Sequence, residues 1–376
     1  MIGQVATQVA TQVIKAGDDA IAAAVHVLAQ GGLVAFPTET VYGLGADAQN
    51  GEAVARLYDA KGRPTFNPLI AHVADTAAAR RLGCFNAAAQ RLASAFWPGP
   101  LTLVLPKRAD CPVAELATAG LDTIAVRVPN HPVAHRILAA LGRPVVAPSA
   151  NRSGHVSPTT AEHVLADLRG RIELIVDGGA TPMGLESTIV ACLDGGTRHA
   201  SSLPTLLRPG GLPRASIDQV VTLAGPIPPP MGEGGRRRRP GGGIPPPKGK
   251  GGSRREPGGG YLEATDASVD DAVLLAPGQM SSHYAPCARL RLDAHRVQPG
   301  EALLAFGPIK IEGADAAVMA LNLSQRGDLI EAAANFFSHL RALDAAGPAT
   351  IAVMPVPRAG LGEAINDRLQ RAAAPR

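Results

Sequence analysis

The sequence predicts an α/β fold in which helices pack on a largely parallel or mixed sheet. Three observations predict it. Short β-branched runs alternate with Ala- and Leu-rich helical patterns along residues 15–224. Polar clusters fall at the ends of those runs, where an α/β sheet presents ligands. After a Gly/Pro/Arg-rich stretch the alternation resumes for about 90 residues, which predicts a second, smaller α/β domain.

In chain order, the amino-terminal "QVATQVATQV" is a near-repeat too short for a solenoid and reads as a frayed lead-in. "DDAIAAAVHVLAQGG" (18–32) reads as a helix with Asp18 or Asp19 as its cap and glycines at its end, and "GLVAF" (32–36) as the strand that follows. "NGEAVARLYDAKG" (50–62) starts at an Asn cap and reads as a second helix. The runs "LIAHV" (69–73), "LTLVL" (101–105), "TIAVRV" (123–128), "PVVAP" (144–148), "ELIVD" (173–177) and "STIVACL" (187–193) complete the first set of strands. In the second set, "EALLAFG" (301–307) and "TIAVMPVP" (350–357) read as strands, with helices over 328–345 and at the end of the chain.

Composition bounds the possibilities. With 376 residues, 46% of them hydrophobic, the chain can bury a core in each of two or three domains. It has no apolar run of about 18 residues or more, and its first 20 residues lack the charged start, apolar stretch and cleavage site of a leader, so the cytoplasm is the expected location, with no membrane partner. Cys84, Cys111, Cys192 and Cys287 form no CxxC pair, which argues against zinc and against a disulfide framework and leaves packing as their expected role. The net charge is +4, but residues 225–260 carry 8 basic and 2 acidic side chains, so the rest of the chain stands at −2. Those 36 residues hold 13 glycines and 9 prolines and have almost nothing apolar to bury. The expected organisation is a first α/β domain over 15–224, a tether and linker over 225–286, and a C-terminal α/β domain over 287–376. The arginine run in the tether suits a solvated linker better than an RNA contact.

Four clusters carry the chemistry. "FPTETVYGLGAD" (36–47) offers the hydroxyls of Thr38 and Thr40, with Gly43 and Gly45 permitting close backbone approach; in isolation it suits a strand turn equally well. "KGRPTFNPLIAHV" (61–73) sets Lys61 and Arg63 two apart. Cations held together repel unless an anion joins them, and phosphate is the natural candidate, although a solvated pair at a helix end is common. His72 lies inside the apolar part of this stretch, where a satisfied core histidine is the ordinary role. "APSANRSG" (147–154) presents Ser149, Asn151 and Ser153, which suit either a nucleotide or amino acid, or a capping loop. The fourth set comprises Arg127 in "RVPNHP", Glu186, Ser187 and Thr188 in "GLESTIV", and Arg208 in "LLRPGG". Neither a P-loop nor a GxGxxG fingerprint is present, so a nucleotide site would have to be built in another way.

In combination, "PTETVYGLG", "KGRP" with "NPL" and His72, "PSAN", and "ESTIV" followed by "RPG" resemble the YrdC-type domain of threonylcarbamoyl-AMP synthases over roughly residues 15–225. The Lys-x-Arg and Ser-x-Asn signature of that family is present as Lys61, Arg63, Ser149 and Asn151. "PGQMSSHYAP" (277–286) resembles the linker of the longer members, from which the Gly/Pro/Arg insertion before it departs. The resemblance implies a twisted mixed sheet with flanking helices, followed by a small Rossmann-like domain. It implies the formation of L-threonylcarbamoyl-AMP and pyrophosphate from L-threonine, bicarbonate or CO2, and ATP with Mg2+, for N6-threonylcarbamoyladenosine at position 37 of tRNA, together with a downstream threonylcarbamoyl transferase complex. By resemblance, Thr40, His72, Arg127, Ser149 and Ser187 would surround threonine. Arg63, Asn67, Thr123, Asn151, Thr159, Arg208 and Tyr284 would surround ATP, and Lys61 would bridge carbamate and α-phosphate. The catalytic set is Lys61, Arg63, Ser149 and Asn151, with no protein-held metal.

Two alternatives stand beside this reading. A carbamoyl-adenylate-handling hydrogenase maturation protein uses a related domain, but it also carries cysteine-rich zinc motifs that this chain lacks. A non-catalytic RNA-binding module, or a weak tRNA contact, is opposed by the charge of the folded part and by only 3% aromatic residues.

Overall fold

The computed structural model describes residues 9–193, 203–224 and 284–375. The tether and most of its linker, and the start of the amino-terminal near-repeat, lie outside the described residues. All described residues belong to one compact unit.

The first part of the chain runs β1 (Gln12–Lys15), α1 (Asp18–Ala29), β2 (Val34–Pro37), β3 (Tyr42–Asp47), α2 (Gly51–Lys61), β4 (Ile70–His72), α3 (Thr76–Arg80), α4 (Ala87–Phe96), β5 (Leu101–Pro106), β6 (Thr123–Arg127), α5 (Pro132–Leu141), β7 (Val145–Val146), α6 (Ala161–Leu168), β8 (Leu174–Asp177), β9 (Thr188–Ala191), β10 (Thr205–Arg208) and α7 (Arg214–Asp218). Its strands form one mixed sheet in the order β1-β8-β2-β3-β7-β4-β6-β5-β9-β10. The main core lies on one face of this sheet, under α2, α4 and α6, and includes Leu57, Leu92, Val126 and Val164. Helices α1 and α5 pack together over Phe36, Val145 and Val176.

Several expectations need correction. The lead-in is a strand from Gln12 on: β1 pairs in parallel with β8, and the Thr11 hydroxyl donates to Ile172 O at 2.7 Å. A local near-repeat gives no sign of a partner 160 residues away. Neither Asp18 nor Asp19 caps α1. The cap position is Gly17, and both aspartates sit in the first turn, where their charge favours the helix N-terminus. Residues 144–148 yield only the two-residue β7, because prolines at 144 and 148 cannot donate to a ladder. The threonine- and glycine-rich stretch contains a whole strand: β2 and β3 form an antiparallel hairpin with Thr38 to Val41 at its tip. Gly45 is required there because a Cβ would come within 2.7 Å of the Phe36 ring, so the close approach it permits is to the neighbouring strand. Of the four cysteines only Cys192 is buried; Cys84 and Cys287 are exposed.

The second part comprises β11 (Arg289–Arg291), β12 (Ala302–Ala305), β13 (Ala320–Asn322), α8 (Leu329–Ala345), β14 (Thr350–Val353) and α9 (Leu361–Ala373). Its four strands are all parallel, in the order β11-β14-β12-β13. Helices α8 and α9 pack together on one face, over Leu304, Ile351 and Val353. The other face, with Leu303, Ala352 and Met354, is covered by Ala294, Val297, Ile311, Ala314 and Ala317 from the connections on either side of β12. Helix α8 is pressed between this sheet and the first part of the chain, since Phe336 and Phe337 share a core with Val41, Val156 and Leu185. The approach is close: a Cβ on Gly184, whose φ is +71°, would lie 2.3 Å from Ala333 O. Among the described residues no helix is long and apolar enough to cross a membrane.

Candidate active site

Four neighbouring strands, β4, β6, β5 and β9, carry the site. Strands β4 and β6 pair in parallel with His72 opposite Arg127; β5 is antiparallel to β6 and parallel to β9, with Thr102 opposite Ile189. Side chains two apart on a strand share a face. The register therefore sets His72, Arg127 and Thr102 in a row on one face, above a small apolar floor of Ile70, Val104, Ala125, Ile189 and Ala191. Ser187, just before β9, ends the row, its hydroxyl 2.7 Å from that of Thr102. Arg208 follows from β10 and donates from Nη2 to Ser187 O at 2.8 Å and to Ser187 Oγ at 3.2 Å.

Each member of the row is held in a defined state. His72 is buried beside Arg127, and burial first, then that cation, pulls its imidazole down to about 3, so it is neutral at ordinary pH, with Nδ1 3.2 Å from Ile70 O. Arg127 donates from Nε to Gly99 O at 3.2 Å, and its Nη2 lies 2.7 Å from Glu39 Oε1. Glu39 stands at the tip of the β2–β3 hairpin between Thr38 and Thr40. Those two hydroxyls bond to each other at 2.8 Å, and Thr38 also donates to Val41 O.

Lys61 and Arg63 stand at the end of α2, whose cap Gly62 adopts a left-handed conformation and turns the chain. Both side chains are buried, and both reach backbone carbonyls. Lys61 Nζ donates to Ser149 O at 2.6 Å and to Asn151 O. Arg63 donates to Asn67 O at 3.2 Å and to Pro68 O at 3.0 Å. Among the described residues no carboxylate lies within ion-pair distance of either cation. Burial, followed by the charge of Arg63, holds the Lys61 ammonium well below its ordinary value. Burial likewise pulls Arg63 down to about 10, against the opposing influence of Tyr58 and Tyr284.

The structure thus brings Lys61, Ser149 and Asn151 together through carbonyls, and His72, Arg127, Ser187 and Arg208 through the strand row. It also brings in Tyr284, which is buried at φ 64° and influences Arg63 and Arg208 electrostatically. Thr123, Thr40, Thr159 and Asn151 have defined local placements of their own. Thr123 opens β6 while Arg127 closes it, roughly 13 Å away at the usual rise of a strand. Thr40 bonds to Thr38, and the backbone N–H and hydroxyl of Thr159 meet His163 Nδ1 at 3.3 Å. The Asn151 amide donates to Arg152 O and His155 O and so braces its own loop.

Sequence reasoning left three site residues out of the candidate set. Thr102 is a hydroxyl in an otherwise apolar strand, a signal legible in the alternation. Glu39 is a carboxylate between two threonines. Arg368 of α9 has no local signal at all: it is fully buried, donates to Glu186 Oε2 at 2.9 Å and to Pro209 O at 3.0 Å, and stacks 5.1 Å from the Tyr284 ring centroid. Glu186 also accepts from the Ser157 hydroxyl and adjoins Ser187. Among the described residues no group of three or more His, Cys, Asp or Glu side chains is placed to hold a metal ion.

Such a site defines an α/β protein that collects buried cations and small polar groups on one sheet face, with a second domain against its wall. A family model described as "Telomere recombination", for Sua5, YciO and YrdC, matches residues 26–210. One described as "Threonylcarbamoyl-AMP synthase, C-terminal domain" matches residues 256–374. The threonylcarbamoyl-AMP synthase of Bacillus subtilis (strain 168) is 37% identical over 378 residues, covering 97% of this chain and 96% of its own. That of Pyrococcus abyssi (strain GE5 / Orsay) is 39% identical, covering 92% and 91%. The structure of P. abyssi Sua5 complexed with L-threonine superposes with a TM-score of 0.76 at 34% identity, over 96% of this chain and 97% of that one. The chain belongs to the threonylcarbamoyl-AMP synthase family, in the form that carries both domains, as the motifs imply.

Proposed function

We propose that the chain joins L-threonine, bicarbonate or CO2, and ATP into L-threonylcarbamoyl-AMP with release of pyrophosphate, supplying the threonylcarbamoyl group for adenosine 37 of tRNA through a downstream transferase complex. One observation carries the reading: Lys61 and Arg63 are buried cations hydrogen-bonded to carbonyls and lacking a carboxylate partner among the described residues. Burying charge without a counter-charge is costly, so the arrangement suits a polyanion that completes it. A nucleoside triphosphate has that chemistry. The row of His72, Arg127, Thr102 and Ser187 suits a small, hydroxylated amino acid, and P. abyssi Sua5 has been solved with L-threonine.

The chain's own residues supply binding, orientation and dryness. Arg127 suits the threonine carboxylate, and the Thr102 and Ser187 hydroxyls its side chain. Lys61 stands to neutralise negative oxygens that develop as the carbamate attacks the α-phosphorus, while Arg63 and Arg208 hold the other phosphates. The apolar floor and Tyr284 limit water, to which a carbamate would be lost. The residues present fit magnesium carried by the ATP phosphates rather than by a protein cage, where it would offset charge on the leaving pyrophosphate. A cytoplasmic setting fits a tRNA-directed product.

The test is incubation of the pure protein with ATP, L-threonine and labelled bicarbonate, with labelled adenylate and pyrophosphate expected in equal amounts. Serine should react more weakly, and valine almost not at all, because a site that hydrogen-bonds a hydroxyl rejects the analogue without it. Absence of labelled adenylate, or equal rates with valine, would overturn the reading.

A further inference from the structure

The pairing of Glu39 with Arg127 is unusual for buried ions. The side chains are only 10% and 5% exposed and approach to 2.7 Å. Yet neither Glu39 oxygen, nor Arg127 Nη2, has a hydrogen bond of acceptable alignment among the described residues. A carboxylate offers about four acceptor positions and is expensive to bury with none of them filled. A pair that served only to hold the fold would be expected to dock in the two-pronged geometry of arginine on carboxylate. Here the two charges compensate each other in close contact, while their directional bonding capacity is left over.

That leftover capacity has a shape. On one side stands a guanidinium with N–H groups to give, and on the other a carboxylate with lone pairs to give. Beside them lie the neutral His72 and the Thr102 and Ser187 hydroxyls. Neutral His72 adds no second positive charge that would repel an ammonium. We propose that Glu39 and Arg127 are the two halves of a receptor for an α-amino acid zwitterion, with Glu39 receiving the α-ammonium and Arg127 the carboxylate. The inference rests on the amino-acid site proposed above and adds Glu39 as its specificity-determining residue. An ammonium brings three donors to a carboxylate that lacks any, and a carboxylate brings aligned acceptors to Arg127. The internal pair opens as the two external bonds form, and the site stays neutral throughout.

The consequence is a selectivity that reverses when one charge is removed. L-Threonine and (R)-3-hydroxybutyrate share the carboxylate and hydroxyl and differ in the ammonium. Binding of each to the full-length protein and to Glu39→Gln is measured by calorimetry or by protection against thermal unfolding. Wild type is expected to bind threonine and to bind hydroxybutyrate at least ten-fold more weakly, because Glu39 repels a bare carboxylate and occupies Arg127. In Glu39→Gln, threonine binding should weaken ten-fold or more while hydroxybutyrate binding strengthens several-fold. Changes of opposite sign for two ligands of one site cannot come from a damaged fold, which would weaken both. Glu39→Asp should restore much of the preference for threonine. If both ligands change in the same direction, or neither changes, while wild type binds threonine, Glu39 is structural and the inference fails with the site reading intact. If wild type binds no threonine, the site reading itself falls and takes this inference with it.

Discussion

Lys61 shows how a single buried group can report its ligand. Burial and the neighbouring Arg63 depress its ammonium well below the ordinary range, while phosphates placed nearby would favour the charged form and raise it again. Nucleotide binding should therefore take up protons at alkaline pH, more so as pH rises. Calorimetric titration with ATP in two buffers of different ionisation enthalpy measures that uptake. Lys61→Arg, which is charged throughout, should abolish it; uptake that is absent in wild type or unchanged in the variant would refute the assignment. His72 titrates to a different effect. Its value in the fold, about 3, lies below the roughly 6.5 of a free imidazole, so acid protonates the unfolded chain first. The stability that neutral His72 supports is whole above about 6.5 and is lost as pH falls from there toward 3. Urea midpoints across that interval should decline in wild type, and more shallowly in His72→Gln, the difference reaching up to a few kcal/mol at about 1.4 kcal/mol per unit.

At the scale of elements, α9 acts on the site from a distance. Arg368 links it to Glu186, and Glu186 links onward to Ser157 and, through the chain, to Ser187. Arg368→Met leaves that carboxylate buried without its cation, at a cost of about 3–5 kcal/mol. The expected result is a lower melting temperature together with a raised KM for ATP and threonine, whereas the double variant Arg368→Met with Glu186→Gln should recover much of the stability. Failure of the double variant to recover would show that Arg368 stabilises by packing alone. Helix α8 makes the complementary case for steric fit. Gly184→Ala combines a left-handed backbone with a Cβ 2.3 Å from Ala333 O, so the helix must withdraw. A loss of about 2 kcal/mol or more is expected in denaturant titration, and a neutral effect would mean that the two parts pack less closely than described.

For the whole molecule, the shared core matters more than the two sheets. Phe336 and Phe337 of α8 pack with Val41, Val156 and Leu185, which flank the site loops, so the second domain forms one wall of the first. The two sheets should therefore melt together. Calorimetry should show a single transition, and Phe336→Ala should lower it by the equivalent of about 3–5 kcal/mol without splitting it. Two resolved transitions in wild type would mean that the parts fold independently and that α8 is an accessory contact.

How much of this was legible in the residues follows from the range of the forces involved. Helices α2 and α8 could be read directly, because Asn50 and Asp328 cap them and Gly62 closes α2, all within a few residues of chain. Most strands announced themselves by β-branched runs, and Lys61, Arg63, Ser149 and Asn151 by their resemblance to a family signature, their spacing alone leaving a solvated pair and a capping loop open. Strand β1 and the strand hidden in the threonine-rich hairpin did not, since each is defined by a partner strand rather than by its own composition. The sequence by itself determined the α/β class, the two-part organisation and the residue types, cations and small polar groups, that the candidate site gathers. Only the tertiary structure decided that Thr102 completes the row, that Glu39 faces Arg127, and that Arg368 crosses 182 positions to hold Glu186. Propensity and periodicity act over a turn or a strand, whereas burial, ion pairing and the register of a sheet exist only between segments that folding has brought together.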